Sequence, residues 1–130
     1  MSQENVELIR RGFAAFERGD VTEMLDLMAD DLLTYRADPD AATFHGKEGF
    51  LEATADWTEG FTSWSVTPEE FIDAGRCVVV RVRQTARVEG SDVSVASKTW
   101  FVYELRRESV SKLSFYSRRE EALVAAGLAE

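Results

Sequence analysis

The sequence predicts an α+β domain, one curved antiparallel sheet with helices gathered on one side. Two observations carry that expectation. Up to Gly60 the apolar residues recur at spacings of three and four, the period of a helix. Beyond Gly60 they alternate one by one, the period of a strand. A third observation sets the size. The chain has 130 residues, 45% hydrophobic and 30% charged, the composition of an ordinary globular chain with one core. A single domain over residues 1–130 is therefore expected.

Each element has its own signal. Val6, Ile9, Phe13 and Phe16 form the stripe of a first helix, with Glu4 and Glu7 where the helix dipole favours anions and Gly19 as its stop. Asp20-Val-Thr-Glu23 reads as a capping box opening a short second helix that buries Val21, Met24, Leu25 and Met28. Residues 32–36 make a short strand, and residues 37–46 a loop broken by Pro39 and Gly46. A third helix over residues 47–60 puts Phe50, Thr54, Trp57 and Phe61 on one side. Residues 64–72 read as a strand that Pro68 confines to an edge or a bulge. Residues 77–88 alternate, with Val78, Val80, Val82 and Gln84 on one face and Val79, Arg81, Arg83 and Thr85 on the other. In residues 93–106 the shared face is Val95, Ser97, Thr99, Phe101, Tyr103 and Leu105. A last strand covers 110–117. A second box, Ser117-Arg-Arg-Glu120, opens a short terminal helix that Gly127 ends.

Charge and motif content remove several function classes. The net charge is −9, a field that repels phosphate backbones, so no nucleic-acid partner is expected. The imbalance is local: residues 1–75 hold 17 acids and 5 bases, residues 76–130 hold 7 acids and 10 bases. One cysteine, Cys77, rules out an internal disulfide and reads as an inert buried thiol. One cysteine with one histidine cannot build a structural zinc site, and no metal or cofactor is expected. No apolar run approaches the roughly 20 residues of a membrane span. The acidic start lacks the pattern of a secretory leader, so a cytoplasmic location is expected. No G-x-S-x-G, G-x-G-x-x-G, P-loop or H-E-x-x-H occurs.

What remains is fourteen aromatic residues and a few polar groups that could face them. A sheet curling over the helices brings the Ser97–Leu105 face and the Trp57 face together around one apolar cavity, the usual setting of a small-molecule site. Tyr35, Trp57, Phe101, Tyr103 and Tyr116 are its expected apolar walls; Gln84 and Thr99 are its polar groups, being odd choices for a dry core. The alternative is that the aromatics simply pack. Asp38 follows the first strand, where aromatic neighbours would raise its pKa toward the range of a general base; equally, Asp before Pro39 initiates a turn. His45 is the second candidate proton carrier, or else loop packing ahead of the third helix.

The order of these elements and five short stretches resemble one family. Glu4-Asn-Val-Glu7, Arg18-Gly-Asp20, His45-Gly-Lys-Glu-Gly49, Glu69-Glu-Phe-Ile-Asp-Ala-Gly75 and Arg118-Arg-Glu-Glu-Ala-Leu123 look like the SnoaL-like branch of the NTF2-like superfamily. The resemblance covers nearly the whole chain. It implies a cone, a bent antiparallel sheet wrapping three helices with a pocket at the open end, and a homodimer formed through the outer sheet face. Activity in the superfamily ranges from ketosteroid isomerases, polyketide cyclases, epoxide hydrolases and dehydratases to members without catalysis. Asp38-Pro39 resembles the general-base Asp-Pro of the isomerases. Their oxyanion-hole acid falls at Phe101, and their oxyanion-hole tyrosine near Gly12 or Phe13, none of which donates a side-chain hydrogen bond. The resemblance therefore implies no isomerase of that type, since such donors supply several kcal/mol of transition-state stabilisation. The Asp-Arg-Asp arrangement of the epoxide hydrolases is unmatched, because the strands offer Arg81 and Arg83 without an inward acid.

Two functional readings follow. One is a cofactor-free isomerase or cyclase-type lyase on a hydrophobic carbonyl compound, in which Asp38 removes a proton alpha to the carbonyl and Tyr35 or Tyr103 holds the enolate oxygen. The other is a non-catalytic module that binds a small hydrophobic molecule or serves dimerisation.

Overall fold

The computed structural model describes residues 2–37 and 40–128. The elements run α1 (Ser2–Glu17), α2 (Val21–Asp26), β1 (Met28–Arg36), β2 (Ala42–His45), α3 (Gly46–Thr58), β3 (Phe61–Ala74), β4 (Cys77–Val88), β5 (Ser94–Arg106), β6 (Ser109–Tyr116) and α4 (Arg119–Ala125). The six strands form one curled sheet in the order β2-β1-β6-β5-β4-β3, with the first three helices against its inner face. The α+β class and the layering follow the expectation.

One pairing differs from it. Four of the five strand pairs are antiparallel, but β1 and β6 run parallel. Consecutive hairpins from β3 to β6 return the chain beside β1 in the same direction. Alternation cannot reveal this, because a strand buried on one face carries the same residue pattern whichever way its neighbour runs.

The expected loop at residues 37–46 also contains a strand. Thr34 and Tyr35 pair with Phe44 and Thr43, so β2 caps the edge of the sheet. β1 itself begins four residues earlier than its alternation suggested. A register shift between Met28 and Leu33 puts two exposed acids, Asp30 and Asp31, inside the strand and hides its start. Pro68 satisfies both of its permitted settings: β3 is an edge strand, and its register with β4 shifts between Pro68 and Glu70.

Helix ends are mixed. Asp20 caps α2 by accepting the backbone N–H of Glu23 at 3.0 Å, but the return bond of a capping box is replaced by an ion pair of Glu23 with Arg18 at 2.7 Å. The box expected at Ser117 opens one residue later, with Arg118 at the cap and no side-chain cap bond.

The main core lies between the helices and the inner sheet face, where Val6, Ile9, Leu32, Val78, Val80, Val82, Phe101, Tyr103 and Leu113 pack together. α4 folds onto the outer face, burying Ala122 against Cys77, Val79 and Val102. Beyond α4 the outer face is polar: Arg81 pairs with Glu69 and Glu70, and Arg83 lies exposed opposite Lys98. No helix among the described residues is long and apolar enough to cross a membrane.

Candidate functional site

The inner sheet face and the helices do not close completely, and a cavity of about 420 Å³ remains between them. Helical spacing accounts for one wall: Phe50, Thr54 and Trp57 project from successive turns of α3. Phe13 and Phe16 of α1 and Val21, Met24 and Leu27 in and after α2 form a second. Alternation accounts for the third, with Arg36 from β1, Leu113 and Phe115 from β6, Thr99, Phe101 and Tyr103 from β5, and Gln84 from β4.

The aromatic part is tightly organised. Phe13 sits 6.2 Å from Phe101 and edge-on to Tyr103 and Phe71, while Phe115 meets Phe101 edge-to-face at 4.7 Å. Val21, Leu51 and Trp57 are exposed, Trp57 by 38%, and give the cavity an apolar rim.

Gln84 organises the polar part. It is only 6% exposed, yet its carbonyl oxygen accepts both indole N–H groups, from Trp57 at 2.9 Å and Trp64 at 2.8 Å. Its amide nitrogen donates to the Thr99 hydroxyl at 3.0 Å. Two donor-only indoles fix the orientation of this amide, since the flipped form would set N–H against N–H.

Arg36 is the one charged residue in the described lining. Its guanidinium pairs with Asp56 at 2.8 Å and lies 5.8 Å from the Phe44 ring centre. Tyr103 is 8% exposed, and its hydroxyl makes no hydrogen bond among the described residues. Burial pushes its pKa far above the usual phenol value, so it stays a proton donor.

Residues 9–112 match the family profile of the SnoaL-like domain. The chain belongs to the SnoaL-like family, within the NTF2-like superfamily. Solved structures agree in fold. A putative SnoaL-like polyketide cyclase from Jannaschia sp. CCS1 superposes with a TM-score of 0.77 at 21% identity, covering 99% of this chain and 94% of that one. An NTF2-like protein of unknown function from Burkholderia pseudomallei K96243 gives 0.77 at 19%, over 92% and 95%. TerC, co-crystallised with polyporic acid, gives 0.76 at 18%, over 95% and 98%. No curated protein matches the chain.

In this SnoaL-like domain, five residues singled out from the sequence meet at the cavity: Trp57, Gln84, Thr99, Phe101 and Tyr103. Tyr116 borders it, but its ring packs on the outer face against the cluster of Cys77, Val79 and Val102. Two do not. Tyr35 lies on the other face of β1 from Leu32, Thr34 and Arg36, and its ring instead packs 6.3 Å from Tyr116. His45 is exposed at the end of β2, where it precedes α3 without a side-chain cap bond. Asp38 lies outside the described residues, two positions beyond Arg36. Ser97, on the same alternating face as Thr99, is exposed beyond the cavity. Sequence reasoning missed Arg36 and Trp64. The signal for Arg36 was present, because it stands two and four residues from Thr34 and Leu32, the buried positions of its strand.

Proposed function

We propose that this SnoaL-like domain takes up a small, largely apolar carbonyl compound in the cavity and acts as a binding module. The observation that carries this is the composition of the described lining. Apolar and aromatic walls surround a few polar groups, the single cation is already paired with Asp56, and neither carboxylate nor imidazole is among them. A cavity of about 420 Å³ lies within the rough 300–1,000 Å³ range of small-molecule sites.

A second reading is a cofactor-free lyase of the cyclase type. It is favoured by β1, which delivers Arg36 to the lining two residues ahead of Asp38. The name of the Jannaschia neighbour, a putative polyketide cyclase, points the same way. In that reading Asp38 removes a proton alpha to the carbonyl, and the apolar walls raise its basicity by withholding water.

The two readings separate on one comparison. The native chain and Asp38→Asn are tested against steroids, aromatic ketones of polyketide type and terpene epoxides, by thermal shift and then by product analysis. Binding without turnover, equal in both proteins, is the expected result. Turnover lost in Asp38→Asn would replace the binding module with the lyase.

A further inference from the structure

The hydrogen bonds around Gln84 leave an asymmetry at the polar wall. Its carbonyl oxygen is occupied by two indole N–H groups, and one of its amide protons is given to Thr99. The Thr99 oxygen therefore accepts, and among the described residues its own proton has no acceptor. The second Gln84 amide proton is likewise unspent. Tyr103, further along β5 on the same face, adds a third donor, a hydroxyl without a partner among the described residues. On the facing helix, Thr54 spends its proton on the Phe50 carbonyl at 3.0 Å. Unspent protons thus gather on the sheet wall, and the strongest acceptor there is used up.

We infer that this wall recognises a hydrogen-bond acceptor, a ketone or quinone oxygen on a rigid apolar ligand, and that Gln84, locked by Trp57 and Trp64, sets that polarity. This rests on the cavity being a ligand site. Gln84 is a positioning residue for Thr99 and a direct donor through its second amide proton. A ligand that brings a carbonyl satisfies both protons. One that brings a methylene at the same place strands them, and one that brings an N–H opposes them.

The probe pair is 9-fluorenone and fluorene, one skeleton with a carbonyl or a methylene at the same carbon. Dissociation constants come from the concentration dependence of Tm. The native chain should prefer fluorenone by about tenfold or more. Gln84→Glu keeps an oxygen for both indoles but turns the amide donor into an acceptor that claims the Thr99 proton. In that variant fluorenone should fall to the affinity of fluorene, with fluorene unchanged. Thr99→Val removes one of the two donors and should reduce the preference, and Thr99→Ser should restore it. Equal affinities in the native chain, or a preference undiminished in both Gln84→Glu and Thr99→Val, would overturn the inference while leaving the cavity a binding site. Neither probe binding would remove the binding reading along with it.

Discussion

Gln84 shows how a single side chain can look out of place in a sequence and prove necessary in the fold. A carboxamide among Val78, Val80 and Val82 costs desolvation unless its polar atoms are paired. Here one oxygen satisfies two indoles, so removing it strands two donors. Gln84→Leu should lower stability by about 2 kcal/mol in chemical denaturation, even though it adds apolar surface. An unchanged stability would mean that the indoles find water instead. Alternation defines the two faces of β4 without saying which is inward; the polarity of Gln84 among valines, and of Thr99 on the Phe101–Tyr103 face, is what marks them as candidate cavity groups. Their partners were not legible, because Trp57 and Trp64 lie 27 and 20 residues away and meet Gln84 only when α3 and β3 fold onto β4. Tyr35 went the other way. It sits on a strand whose inward set is Leu32, Thr34 and Arg36, and the parity of a short strand is easily misread when its first turns are irregular.

At the scale of elements, close approach decides what propensity cannot. α3 rests directly on β2: a Cβ placed on Gly49 would lie 3.0 Å from the Phe44 backbone carbon and 3.1 Å from its Cβ. Gly49→Ala should therefore destabilise the domain by about 1–3 kcal/mol, despite alanine being the better helix former. A gain in Tm for that variant would show that α3 can lift from β2 without cost. This contact also explains why β2 has no strand signal of its own in the sequence. The four residues of β2, Ala42–His45, are too few to display a period, and they become a strand only because β1 offers them partners and α3 covers them. The long strands were legible for the opposite reason. β4 spans Cys77–Val88 with a burial pattern that alternates from Val80 to Arg87, and eight residues of alternation leave little room for another reading. The parallel pairing of β1 with β6 has no local signature at all, being set by the number of hairpins between them.

The whole molecule repeats this division between what patterning determines and what closure adds. Helices first and hairpins afterwards led to the right class, and the family profile over residues 9–112 agrees. Whether a curled sheet closes on its helices or stands off from them depends on side-chain volumes summed over a dozen contacts, which no single motif carries. Here it stands off, leaving about 420 Å³ bounded by Phe13, Phe50, Trp57, Phe101 and Phe115. The most direct test of the account is to fill that space. Thr54→Trp projects a large ring from α3 into the cavity, and the Tm of this variant and of the native chain is followed while an apolar ketone such as 9-fluorenone is titrated. The native chain should gain roughly 2.7 kcal/mol of stability at one hundred times the dissociation constant, and the filled variant should fold yet show no shift. An equal shift in both proteins would place the ligand elsewhere and contradict the assignment of the cavity as the binding site.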